Sequence, residues 1–400
     1  MRGAAVILVS LFSSLCHGGG SNGNQSTANV NARSWQISPT HNGTITGPLM
    51  PPLTRLWTLP VTGDAGLAPI VTNGVVYIAY STTTTGAPPP LFLHYLNETT
   101  GTDVLPPIPV PSSFTGLAYN DGILVYATSD QRIAAFDAMS AAPLWSVTLP
   151  RPTQAVGLSV VMANGAIYYT EIGQGGHLYS LDEKTGKTNW VADGVQSGGY
   201  GFPAATIDIV LASGGDGVLH AFNVSDGKPR WATTGQTVHD FGSSAICGGV
   251  VVATGNDSEK APLFDLTTGM NLGYTFFSDG PSACDGSTLF SAGLVATNLR
   301  GGAKIWSYSP DQGTVSVPLV VNGTVYAQAS DISTMTCGES NCSAPAGALY
   351  AVSEATGAEL WADHSLPAGD TDFTLDMASD GNVLIVPTGS VVAAYGPGGG

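Results

Sequence analysis

The chain is 400 residues long, with 52 glycines, 26 prolines and only 10% charged residues. That composition suits short strands and tight turns, and no stretch carries strong helical spacing. Twelve basic side chains stand against 29 acidic ones, a formal charge of −17 that repels phosphate backbones. The few lysines and arginines form no basic stripe, so nucleic acid is excluded as a partner.

The chain opens with Arg2 and an apolar run from Ala4 to Leu15, which reads as an export signal too short to span a bilayer. Cys16 ends that run, before the flexible polar tether His17-Gly18-Gly19-Gly20-Ser21-Asn22-Gly23-Asn24. A tether of this kind resembles the one that follows the lipidated cysteine of bacterial lipoproteins. The lipobox prefers Leu three residues before that cysteine and a small residue directly before it, where this chain has Ser13 and Leu15. Two fates stay open, lipidation of Cys16 or cleavage in the Gly-rich stretch, and they separate an anchored protein from a soluble one. Residues 1–34 are read as signal and tether, and residues 35–396 as one domain, because a single repeat runs through them without a linker.

Two signals alternate along that domain. The first is a turn dipeptide followed by β-branched and aromatic residues, the mark of a hairpin strand. It stands at Asn73-Gly74, Asp121-Gly122, Asn164-Gly165, Gly248-Gly249, Asp285-Gly286, Asn322-Gly323 and Asp380-Gly381, and has lost its glycine around Ile207-Asp208-Ile209-Val210. The second is the pattern A-x-D-x-x-T-G-x-x-x-W. Worn copies begin at Tyr95 and Ala135, clean ones run from Ser180 to Trp190 and from Ala221 to Trp231, and worn ones return at Leu263 and Ala296. A third clean copy runs from Ala351 to Trp361, and Ala394-Tyr395-Gly396 is a truncated last one. A period of about forty residues with several strands per unit predicts an all-β fold, an eight-bladed β-propeller of four-stranded antiparallel blades.

Each motif position has a physical task. The Asp or Asn side chain accepts nearby backbone N–H groups in an Asx-type turn, and Gly supplies a positive φ. The tryptophans, Trp145, Trp190, Trp231, Trp306 and Trp361, are expected to bury their flat surface between neighbouring sheets and dock blade on blade.

This spacing resembles the tryptophan-docking motif of the quinoprotein, or PQQ-like, β-propeller superfamily, over nearly the whole chain after the signal. The stretch Trp35-Gln36-Ile37-Ser38-Pro39-Thr40-His41-Asn42-Gly43, with Gly47-Pro48-Leu49 and Leu56-Trp57, is similar to the lead-in these propellers carry before their first blade. Because closure hides sheet edges, a strand near Trp35 is expected to pair with the C-terminal segment from Ser390 to Tyr395. For function the resemblance implies two branches. In the quinoprotein dehydrogenases, pyrroloquinoline quinone (PQQ) sits in the central channel with calcium as Lewis acid, stacked on a disulfide of adjacent cysteines and oxidising alcohols or sugars. This chain has no Cys-Cys dipeptide, and its connections between blades are mostly short. The other branch is non-catalytic, similar to the propeller lipoprotein of the outer-membrane β-barrel assembly machine. It implies an exported binding or scaffold protein without cofactor or metal, monomeric, partnered by a protein or glycan of the cell envelope, and touching a membrane only through a lipid anchor. Its place would be periplasmic or outer-membrane-anchored in a bacterium, and secreted otherwise.

Five cysteines in an exported chain call for pairing. Cys337 and Cys342 bracket Gly338-Glu339-Ser340-Asn341 inside a long insert and would staple it. Cys247 and Cys284, each read as directly preceding a turn dipeptide, would join blades five and six if their Cα atoms come within about 7 Å, and are otherwise small core residues. The histidines are scattered singly, at no metal-ligand spacing, and no catalytic residue is assigned. Gly186-Lys187-Thr188 belongs to the docking turn, because a phosphate loop would need glycine where Leu181 stands. The segment before each innermost strand converges on the channel mouth, and the repeat alignment places there Asp64, Phe114, Gln154, Tyr200, His239, Asp240, Phe241, Asp279, Thr314, Asp372 and Phe373, a mix of carboxylates and aromatics suited to a sugar or a basic side chain. The long inserts Ser81 to Pro90 and Ser330 to Gly347 offer a second candidate surface.

Overall fold

Each turn dipeptide closes a hairpin between two apolar strands. In the first blade Ile70–Thr72 pairs with Val75–Tyr80, which pairs with Leu91–Asn97, and Asp103–Val110 lies outermost. The same antiparallel order of four recurs seven more times, and the chain is an eight-bladed β-propeller. The computed structural model describes residues 33–61, 69–81, 90–149, 156–172, 176–193, 195, 202–214, 217–234, 244–253, 260–276, 282–291, 293–310, 314–330, 336–337, 342–343, 347–367, 376–388 and 390–398. Among these, the apolar side chains gather into eight clusters, each spanning a junction between neighbouring blades. The core is thus a ring of small cores, and each blade buries its apolar faces against its neighbours.

The docking motif works as its chemistry requires. Asp182 Oδ1 accepts the Thr185 N–H at 2.8 Å and its hydroxyl at 2.7 Å, and the Thr185 hydroxyl is the main reason its pKa lies below the usual carboxylate value. Trp145 Nε1 donates to the Glu183 carbonyl of the next blade at 3.0 Å, and Trp190, Trp231 and Trp306 make the same bond to Val224, Leu266 and Glu354. Each indole lies on the motif glycine of that next blade. At Gly227, φ is +68° and an added Cβ would sit 2.5 Å from the Trp190 ring, so both backbone shape and contact demand glycine. Trp361 departs from the pattern: the truncated last copy offers no Thr-Gly turn, and the indole meets the Tyr395 ring edge-on at 5.8 Å.

Ring closure differs from the expectation. The strand that completes the eighth blade is Leu53–Pro60, antiparallel to Val391–Pro397, and not a strand near Trp35. Its alternating pattern puts Leu53 and Trp57 inward, and Trp57 docks onto Glu98 and Gly101 of the first blade as the other tryptophans do. Arg55 Nη2 reaches Asp363 at 2.5 Å, and Tyr395 donates to the same carboxylate at 2.8 Å, tying the closing strand to blade seven.

Cys247 and Cys284 form a disulfide with Cα atoms 6.0 Å apart, joining the innermost strands of blades five and six. The two cysteines are offset by a rung, since Cys247 faces Val250 across its turn whereas in blade six that rung is Asp285 opposite Thr288. Cys337 stands opposite Cys342 in a two-residue ladder.

Candidate functional site at the propeller axis

An innermost strand has one sheet edge without a partner, and its N–H groups face the axis. Residues 33–49 cover five of these edges. Arg33 exchanges both main-chain bonds with Tyr119 of blade two. The carbonyls of Pro39, Thr40, Asn42 and Gly43 then accept the N–H groups of Ala205, Ile246, Cys284 and Val320, on blades four, five, six and seven in turn. Thr44–Ile45 runs parallel to Leu319–Val321, and Leu49 N donates to Gly381 O in blade eight. Every one of those inner-strand donors lies close before its turn, so the segment stops the channel at the end where the turn dipeptides stand.

Trp35 rises from this stopper onto the axis itself. Its ring stacks on Phe202 of blade four at 4.5 Å and 17°, and its Nε1 donates to the Asp376 carboxyl of blade eight, so one indole touches blades that face each other across the ring. His41 meets the indole edge-on at 4.9 Å. Asp376 is 8% exposed, and burial pushes its pKa up to about 7, opposed among the described residues by the indole N–H. His41 is 1% exposed, and burial holds its pKa down to about 3. The Ser244 main chain opposes that shift, and no group among the described residues reaches either ring nitrogen in good hydrogen-bond geometry. Gln36 Oε1, Ser244 Oγ and Ser282 Oγ are likewise buried without such a partner among the described residues.

Of the residues that the repeat alignment placed at the channel mouth, Phe114 opens the innermost strand of blade two and packs against Tyr126 at 6.0 Å within the cluster between blades one and two. Thr314 opens the short strand Thr314–Val315 in blade seven. Asp64, Gln154, Tyr200, His239, Asp240, Phe241, Asp279, Asp372 and Phe373 lie outside the described residues. The axial group, Trp35, His41, Phe202 and Asp376, was not found by aligning repeats, since Trp35 and His41 precede the first repeat. The signal that could have found them is the polar-aromatic lead-in itself, whose Trp and His have no place in a blade.

A family profile described as outer membrane protein assembly factor BamB matches residues 95–272 and again 235–400. The chain belongs to this BamB-type family of PQQ-like propellers. Among solved structures it is similar to BamB from Moraxella catarrhalis, with 17% identity over 86% of this chain and 99% of that one and a TM-score of 0.62. It is also similar to the quinohemoprotein alcohol dehydrogenase of Comamonas testosteroni, with 12% identity over 94% of this chain and 81% of that one and a TM-score of 0.67. The computationally designed Ika8 protein reaches a TM-score of 0.66 at 15% identity, covering 86% of this chain and 99% of that one. No curated protein matches by sequence. Identities this low establish the shared fold, and function has to be argued from the site.

The quinone and calcium of the dehydrogenase branch can be tested against the axis. Its aromatic faces, Trp35 and Phe202, are already stacked on each other, and the Cys247–Cys284 bridge joins two blades through residues 37 apart in sequence, not through adjacent ones. Among the described residues no group of three His, Cys, Asp or Glu side chains is placed to hold a metal ion. The described residues do not fit that pair.

Proposed function

We propose that this BamB-type propeller is an exported, non-catalytic scaffold that binds a protein of the cell envelope, as a monomer and without a cofactor. The observation that carries this reading is the axial one. The chain's own residues 33–49 fill the turn end of the channel, and Trp35 spans it from blade four to blade eight. A small-molecule site at that end would have to displace a segment bonded to six blades. The family description, outer membrane protein assembly factor, supports an envelope protein as partner. Side chains such as Met139, Leu144, Met270 and Ile305 are exposed and available to a partner. The test is photo-crosslinking in the native envelope from positions 139, 144, 270 and 305, with immobilised envelope polysaccharide as a second arm and added pyrroloquinoline quinone with calcium as a third. One saturable protein adduct supports the reading. Retention on polysaccharide alone transfers the partner to a glycan. A saturable quinone absorbance shift followed by dye reduction with an alcohol or sugar overturns the reading in favour of a dehydrogenase.

A further inference from the structure

The stopper has features that a mere filler does not need. Gln36, Ile37 and His41 all hold left-handed backbone, at φ of 55°, 73° and 54°, and for β-branched Ile37 that conformation is strained. Gln36 and His41 bury polar side-chain atoms without a partner among the described residues. The segment is also held to blade eight by a carboxyl in a dry, aromatic setting, through the Trp35 N–H. Strain and unmet polarity make the seated form easy to leave, and a carboxyl is a group whose charge decides whether it can stay dry.

We propose that residues 33–49 form a proton-controlled stopper, seated on the inner rims of the blades while the Asp376 carboxyl is protonated, and lifting from them when that carboxyl ionises. The neutral acid needs little beyond the indole N–H. The carboxylate needs water, which withdrawal of Trp35 admits, and the proton released goes to solvent. Among the described residues, the groups around Asp376 offer no compensating charge. From the stopper come Trp35 and the neutral His41, while Arg33, itself desolvated, is coupled electrostatically to Asp380 and Tyr119. Blade four brings Phe202, and Ile70–Thr72 of blade one, which packs on the Ala378–Ser379 strand, carries no titratable group. On blade eight Asp380 is the further charged group of this turn, bonded to the Asn382 main chain and near Glu98.

The direction follows from linkage. Burial raises the carboxyl from an ordinary value to about 7, so the seated form is favoured most below about pH 4, loses ground as pH rises, and changes no further above about 7. Amide hydrogen exchange on the whole protein tests this, corrected for intrinsic rates, between pH 4.5 and 8. The amides of Ala205, Ile246, Cys284 and Val320, which donate to the stopper, should lose protection by about tenfold per pH unit and flatten near pH 7. The Val251 and Tyr326 amides, inside blades five and seven, should not follow. Asp376→Asn should make the four amides insensitive to pH. If that variant does not fold, Trp35→Phe, which removes the N–H, should move the flattening above pH 7. Four pH-independent amides, a wild-type slope in Asp376→Asn, an unmoved flattening in Trp35→Phe, or core amides that change in step would overturn the proposal.

Discussion

Replacing Cys247 and Cys284 together by alanine measures how far the ring depends on one cross-link. The bond ties the innermost strands of neighbouring blades and joins residues 37 apart in sequence. Cutting a loop of that length returns about 13 cal/mol/K of entropy to the unfolded chain, which at 25 °C destabilises the fold by about 4 kcal/mol. Both sulfurs sit in the cluster of Ala245, Val252, Leu263 and Leu289, where alanine leaves only a small space. Unfolding entropy grows with chain length, so 4 kcal/mol spread over a propeller of this size lowers the melting midpoint by about 5 °C. Urea titrations of the oxidised protein, the reduced protein and the double variant should show the last two falling together. A loss below about 1 kcal/mol in both would refute the reasoning, because the denatured chain would then be confined at this point without the bond.

Gly227→Ala should cost about 2–4 kcal/mol, from the left-handed backbone plus the clash with Trp190, whereas Gly165→Ala, at φ +76° with nothing within 4 Å of the added carbon, should cost about 1 kcal/mol; paired urea midpoints check the difference. Asp363 is held down to about 2 by the Ser365, Arg55 and Tyr395 bonds that outweigh its burial, so its contribution is present above about pH 4 and lost as pH falls toward 2. Asp363→Ala should cost about 1–2 kcal/mol at pH 7, less than a deeply buried pair because solvent reaches the site, and the gap to wild type should close near pH 2 in acid titration followed by circular dichroism. Glu98, pushed up to about 7 by burial and by Asp380, has the opposite sign: stability should fall as pH rises from about 4 to 7, and Glu98→Gln should flatten that part of the stability profile.

What could be read in the sequence is what repeats. The blade count, the Asx turns and the docking of Trp145, Trp190, Trp231 and Trp306 follow from residues that act within one turn or on the adjacent blade, so a local pattern carries their physics. The pattern failed where the ring joins its own ends. There Trp57, outside any motif copy, takes the docking role, and Trp361 loses its usual seat because the last copy is cut short. The closing strand was placed too early in the chain for a related reason. A Trp-rich lead-in reads as strand, and only the competition for blade eight shows that Leu53–Pro60 has the alternating inward face and Trp35 does not. The Cys247–Cys284 bridge was legible as a condition on distance, which the fold met.

The axial site could not be read from the repeats, for a reason built into ring architectures. A ring closes by bringing its two ends together, so the residues that meet on its axis are those with no fixed sequence separation and no repeat partner. Trp35 and Asp376 stand 341 residues apart, and Phe202 comes from the blade facing Asp376 across the ring. Repeats must keep the same residue at the same rung to pack against identical neighbours, which leaves little room for chemistry. The lead-in is under no such constraint. It can carry strained Ile37, an imidazole without a hydrogen-bond partner among the described residues and an indole paired with a buried acid, because the cost is met by covering five otherwise open strand edges. In this propeller the repeated part makes the ring, and the lead-in, which does not repeat, covers its turn end.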